Sequence, residues 1–206
     1  MRTMTSPDPP DAPSNRNDYM SAVTIGARRR VDGPILLADY DPDWPVLYER
    51  EATRVRDILG DRVRLLEHVG STSVPGLPAK PIIDMLLAVA DSADEPAYVP
   101  SMDAGGYVVR IREPDWHEHR VFKGPDTDIN LHTFSDGSVE IERMLAFRDR
   151  LRTHDDERER YLQTKRELAA RHWVYVQDYA DAKGEVVEGI IARALADRDE
   201  EAAPLD

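Results

Sequence analysis

The chain has no cysteine, which excludes disulfides, thiol nucleophiles and cysteine-bound zinc. It is short of positive charge: 27 Lys and Arg face 40 Asp and Glu, a formal charge of -13, and a field of that sign opposes binding of duplex nucleic acid. Small anionic ligands stay open to it through a local basic pocket. No apolar run is long enough to span a bilayer, and the N-terminal residues hold no hydrophobic stretch of the signal-peptide kind. The sequence therefore reads as a cytoplasmic protein without membrane association. There is no internal repeat and no heptad array, which excludes solenoids and long coiled coils.

What is present fits one domain, since 206 residues bury a core without staples. Residues 1–34 alternate turn-formers and charges with few large apolar groups and read as a disordered tail. Residues 197–206 read as an acidic C-terminal tail, leaving a folded unit over 35–196. Within it, Ile35 to Leu37 suggest a short opening strand. Asp43 can cap a helix that has Pro45 in its first turn, Tyr48, Ala52, Val55 and Leu59 on one face, and Gly60 as its stop. Strands follow at about Leu65 to Val69 and Ile82 to Val89, then a weak helix before Gly105, and strands at Tyr107 to Ile111, His119 to Lys123 and Asp128 to Phe134. The last two make a plausible hairpin through Gly124 and Pro125. From Ser138 the period becomes helical and predicts three helices, the third from about Tyr175 with a stripe of Tyr179, Ala182, Val186, Ile190 and Ala194. Strands first and helices last imply an α+β fold, a mixed β-sheet flanked by helices with helices at its C-terminal end.

The densest stretch runs from Glu67 to Val89, E-H-V-G-S-T-S-V-P-G-L-P-A-K-P-I-I-D-M-L-L-A-V. An apolar approach ends at Gly70, three hydroxyl residues follow at Ser71, Thr72 and Ser73, and a Pro/Gly-punctuated loop delivers Lys80. Glycine and hydroxyl residues after a strand allow close backbone approach and supply donors that cradle phosphate oxygens. An ordinary Gly/Ser turn has the same composition. Lys80 is followed by Pro81 and opens no helix, which excludes a Walker A loop. Asp84 sits among Ile82, Ile83, Met85, Leu86 and Leu87, where a carboxylate needs a partner or a cation. Magnesium bridging it to ligand phosphates would be one answer, local pairing at a strand edge another. Leu86 fills the same-face position two residues on, so this strand carries no D-x-D clamp.

Asp128, Asn130 and His132 alternate with Ile129 and Leu131 and so share one strand face. If that face meets Asp84, Asp128 is a candidate second metal ligand and His132 a candidate ligand or general base. The alternative is a half-exposed edge strand with a hydrogen-bonded histidine. His117 and His119 also share a face, but a zinc site would need a further spaced ligand. Arg143, Arg148, Arg150, Arg152, Lys165 and Arg166 are interleaved with acids and read as a solvated, charge-laced helix surface.

The run from His68 to Asp84 resembles the signature of the GrpB family of bacterial proteins. Y-D-P-D-W-P (Tyr40 to Pro45), N-L-H (Asn130 to His132), L-A-F-R-D-R-L-R (Leu145 to Arg152), T-K-R-E-L-A (Thr164 to Ala169) and Y-A-D-A-K (Tyr179 to Lys183) are similar too, in the same order. The resemblance implies the nucleotidyltransferase fold of the polymerase-beta superfamily, in which a strand ending in Gly-Ser leads to a nearby strand bearing metal-binding acids. It implies a nucleoside triphosphate and magnesium in the cleft; Gly70, Ser71 and Asp84 match its pattern, and joined to the residue readings above this places the nucleotide on Gly70, Ser71, Thr72 and Lys80 and magnesium at Asp84 and Asp128. A nucleotidyl group would pass to a small-molecule acceptor, with Asp84, His132 and Lys80 catalytic. The paired acid of such enzymes is replaced here by Leu86. A non-catalytic nucleotide- or coenzyme-A-related binding module, its missing acid reflecting lost chemistry, is the alternative, and relatives fused to dephospho-coenzyme A kinase point to nucleotide or coenzyme A metabolism.

Overall fold

The computed structural model describes residues 16–202. The chain runs α1 (Arg16–Val23), β1 (Arg30–Gly33), α2 (Trp44–Leu59), β2 (Leu65–Val69), β3 (Ile83–Val89), α3 (Val99–Ala104), β4 (Val108–Glu113), β5 (His119–Lys123), β6 (Ile129–Ser135), α4 (Val139–Thr153), α5 (Asp155–Ala169), β7 (Trp173–Tyr175), α6 (Val176–Asp181) and α7 (Gly184–Ala202). Five strands form a mixed sheet in the order β2-β3-β6-β5-β4, and β1 pairs with β7 apart from it. Only the central pair, β3 with β6, is parallel; β2–β3, β6–β5 and β5–β4 are antiparallel. Runs with Gly/Pro punctuation became hairpins, whereas the parallel pair needed the whole α3–β4–β5 excursion as its crossover.

Period-two alternation divides β3 between two cores. Ile83, Met85, Leu87 and Val89 pack with Tyr48, Ala52, Val55 and Leu59 of α2 and with Met102 of α3. On the other face Leu86 joins Val69, Phe134 and the α4 side chains Ile141, Met144 and Leu145. Near Asp84 this second face is less fully covered, and 29% of that side chain is exposed. The expected helix at Trp44–Leu59 has proline in its first turn and ends at Gly60, whose φ of 55° suits glycine. Asp43 occupies the cap position without a side-chain cap bond; Asp41 Oδ1 instead accepts from the Asp43 amide at 2.9 Å.

The C-terminal helices form a separate layer. Phe147 and Leu151 of α4, Tyr161 and Leu162 of α5 and Ile190 and Ile191 of α7 enclose Val74 and Leu77 from the loop after β2. Arg193 of α7 donates to Glu157 of α5 at 2.5 and 2.8 Å, fastening the layer.

Several expectations are corrected. Of the tail expected at 1–34, residues 1–15 lie outside the described residues, but 16–33 carry α1 and β1. These few apolar groups are ordered by tertiary partners: Met20 is buried, Thr24 bridges to Ile111, and β1 finds β7. No strand forms at Ile35 to Leu37; the nearest pairing is the bridge from Ala38 to Ala79. Of the expected acidic tail, α7 extends through Ala202 and residues 203–206 lie outside the described residues. The predicted third helix is two, α6 and α7, separated at Gly184, where the propensity cost of glycine falls at a helix start instead of an interior.

Candidate functional site

β2 ends at Val69, which lies opposite Asp84 in the antiparallel ladder, so the turn after β2 begins beside that carboxylate. Gly70 (φ 68°) is in a region that L-residues rarely occupy, and a Cβ there would come within 2.4 Å of Asp84 Oδ2. Ser71–Ser73 then form one 3-10 turn. Its own bonds, Ser73 N–H to Gly70 O and Val74 N–H to Ser71 O, leave the amide of Ser71 at its open head. Arg148 donates to His68 O at 3.1 Å and Arg152 to Ser73 O at 2.8 Å, so α4 braces the turn from behind.

The cations of the site come from three separate segments. Lys80 closes the loop, and Lys165 of α5, 2% exposed, donates to Ser71 Oγ at 3.0 Å and to Pro78 O at 2.5 Å. Lys183, between α6 and α7, shares the Tyr179 ring with Lys80, the two ammonium groups lying 4.7 and 5.3 Å from its centroid. Desolvation first, and Lys183 second, pull Lys80 down to about 8 and Lys165 down to about 7, while Asp84 opposes both shifts. A cavity of about 570 Å³ opens beside this group, with Lys80, Asn130, Lys123, Arg29, Ile111 and Tyr175 in its wall. Its size and mixed lining suit a small ligand with an apolar body and anionic groups.

Asn130 is the ladder partner of Asp84 across the parallel pair, and its Nδ2 donates to Asp84 Oδ1 at 2.7 Å. His132, two residues on, presents Nε2 at 4.0 Å from the same oxygen. Desolvation, with His119 alongside, lowers its imidazole to about 4, so it is neutral near pH 7. His132 Nδ1 lies 3.0 Å from His119 Nε2, and His119 Nδ1 lies 2.7 Å from Glu113 Oε2. The two imidazoles are parallel within 5°, and His119 stacks on Phe134 at 4.6 Å.

The expected residues divide clearly. Gly70, Ser71, Lys80, Asp84 and His132 line one region with Asn130. Thr72 does not: it is buried, its hydroxyl donates to Ile82 O at 3.2 Å, and His68 Nε2 lies 3.1 Å from it, so it ties β2 to β3. Asp128 is corrected as a metal ligand. Its carboxylate is held by Lys123 at 2.8 Å and Arg29 at 2.7 Å, because it precedes β6 and points toward the cation-lined cavity wall. Among the described residues no three His, Asp or Glu side chains converge as metal ligands. Asp84 is the one carboxylate of the centre and accepts from Asn130, so these side chains form no all-protein magnesium shell, and a cation at Asp84 would take its remaining oxygens from water and substrate phosphates. Lys165, Lys183 and Glu113 were not assigned to the site from sequence. Lys165 had read as part of a solvated helix face, although its place in the buried stripe Tyr161, Leu162, Lys165, Leu168, Ala169 was a signal.

A mixed sheet with a Gly-Ser turn on one strand, an acid on its antiparallel neighbour and helices packed behind the turn makes this an α+β protein. Within that class the chain belongs to the GrpB family, whose model, described as GrpB protein, matches residues 34–193. It is 57% identical over 180 residues to UPF0157 protein BH1888 of Halalkalibacterium halodurans, covering 87% of this chain and 92% of that one. The crystal structure of conserved protein GrpB from Enterococcus faecalis superposes with a TM-score of 0.70 at 32% identity, covering 79% of this chain and 99% of that chain. A dephospho-CoA kinase of Mycolicibacterium paratuberculosis is 28% identical over 176 residues, a match covering 73% of this chain but 43% of that protein.

Proposed function

We propose that this chain binds a nucleoside triphosphate by its phosphates and transfers the nucleotidyl group to a small acceptor. One observation carries the reading: Lys80 and Lys165 are desolvated beside the Gly-Ser turn, and neither forms an ion pair among the described residues. Cations withdrawn from water without a counter-charge are costly, and an anion in the cleft offsets that cost. The amide at Ser71, unpaired within the turn, adds a donor of the kind that binds phosphate oxygens. Magnesium enters this scheme as part of the substrate, on the triphosphate's own oxygens. In the transfer, an acceptor oxygen attacks the α-phosphorus, the bond to the β-bridging oxygen breaks, pyrophosphate leaves, and the acceptor proton passes to His132 Nε2. Asp84, 4.0 Å away, stabilises the imidazolium as it forms.

The second reading is a nucleotide- or coenzyme-A-related binding module without turnover. It is supported by the absence of a second acid at Leu86 and by the dephospho-CoA kinase relatives. The test is thermal denaturation with each nucleoside triphosphate and with coenzyme A, with and without magnesium, followed by pyrophosphate release with hydroxyl acceptors. Binding to the native state raises the melting temperature by mass action. We expect a nucleotide-dependent rise, and pyrophosphate release that falls about 100-fold in Asp84→Asn with the fold intact, within the range for losing one catalytic group. A shift without pyrophosphate release under any condition supports the binding module, and no shift with any nucleotide overturns both readings.

A further inference from the structure

Glu113, His119 and His132 form a chain of contacts that ends at Asp84. β4, β5 and β6 are adjacent, and one residue from each meets the next: Glu113 Oε2 to His119 Nδ1 at 2.7 Å, then His119 Nε2 to His132 Nδ1 at 3.0 Å. Its outer end is fixed as well, since Tyr19 of α1 donates to Glu113 Oε1 at 2.7 Å. The rings cannot rotate freely, because His119 is clamped between Phe134 and the edge of Trp116.

Hydrogen-bond logic assigns the protons. An ionised carboxylate only accepts, so His119 Nδ1 carries a hydrogen toward Glu113. In neutral His119 the Nε2 is then an acceptor, and the group facing it, His132 Nδ1, must donate. That leaves the lone pair of His132 on Nε2, the atom facing Asp84 and the cleft. From this geometry we infer that Glu113 and His119 are positioning residues that hold His132 in its Nδ1–H tautomer and relay charge away from it. When Nε2 takes a proton, the Nδ1 hydrogen moves to His119 Nε2. The products are a neutral Nε2–H His132 and an imidazolium at His119 paired with Glu113, with no proton gained or lost beyond the one received. Asp84 and Glu113 favour a cationic His132 as the proton arrives, whereas His119 and Lys123 oppose it, and passing the charge to His119 pairs it directly with Glu113.

The catalytic use of the relay rests on the transfer proposed above, but its existence is testable without any nucleotide. Long-range 15N–1H spectra of the ligand-free protein at pH 7.5 distinguish protonated from unprotonated ring nitrogens, and the other nitrogen's hydrogen bond decides which tautomer is populated. We expect His132 with a protonated Nδ1 and a bare Nε2. In His119→Phe, which keeps a ring between Trp116 and Phe134, the Nε2–H population should rise several-fold. Glu113→Leu, which removes the acceptor that fixes the His119 tautomer, should give the same loss and serves if the first variant does not fold. A protonated Nε2 in the unmodified protein overturns the inference, as does an unchanged tautomer in a folded variant. Neither result bears on nucleotide binding, and absent nucleotide binding would leave the tautomer result standing.

Discussion

At the scale of single residues, Gly70 and Asp84 define each other. The glycine's φ of 68° and the 2.4 Å that would separate an added Cβ from Asp84 Oδ2 mean that the carboxylate lies directly on bare backbone. Gly70→Ala is expected to lose about 1–3 kcal/mol from backbone strain alone, measurable by urea denaturation, and to displace Asp84 with loss of any nucleotide-induced stabilisation. Both residues were legible in the sequence, because a glycine after an apolar run and an acid inside one are each chemically out of place. Thr72 was misread for a related reason: composition shows a hydroxyl but not which way it turns, and the carbonyl of Ile82 captured it. Asp128 was misread because alternation gives the face of a side chain but not its partners, and Lys123 and Arg29 reached it first.

At the scale of elements, the sheet strands were read to within a residue or two, since turn residues and alternation bound them. The charges supplied by helices were not. Lys165 meets Ser71 across 94 residues of sequence, a distance at which no local pattern operates, and its surroundings in α5 are rich in acids and bases. Its burial makes a prediction peculiar to this helix. Lys165→Met removes a cation whose pKa has fallen to about 7, so stability at neutral pH should be unchanged or raised by on the order of 1 kcal/mol, while the nucleotide-induced rise in melting temperature should disappear. A variant that is destabilised yet still responds to nucleotide would show that Lys165 serves only the loop.

At the scale of the whole molecule, stability should depend on pH through two histidines, His68 buried and His132 half-buried. His68, stacked on Tyr48 at 4.8 Å, is lowered to about 4 chiefly by desolvation, as is His132. A histidine depressed from its ordinary 6.5 is protonated more readily in the unfolded chain. Stability is therefore complete above about pH 6.5 and falls as pH drops toward 4, by at most about 3 kcal/mol per histidine. Denaturation midpoints between pH 4 and 8 should fall over that window, and His132→Asn should flatten roughly half of the slope. Glu95 and Glu157, held below the usual carboxylate range by Arg112 and Arg193, release their contribution at lower pH. No helix among the described residues is long and apolar enough to cross a membrane. The α+β class was legible because strand and helix periods are segregated along the chain. The order of α1 and β1 was not, since it depends on partners from β4 and β7 that no window of sequence contains.

The parallel β3–β6 pair also has a kinetic meaning. Asp84 and Asn130 are 46 residues apart in sequence, and β6 must insert between β3 and β5, whereas β2–β3 and β4–β5 close as local hairpins. Loop-closure entropy makes such a non-local pairing slow relative to hairpin formation. During synthesis both hairpins can therefore exist before the centre of the sheet does, and the pocket chemistry arises only when the middle strand arrives. A chain truncated before β6 would keep Gly70, Ser71, Lys80 and Asp84 but lack the Asn130, His132, Lys165 and Lys183 that surround them.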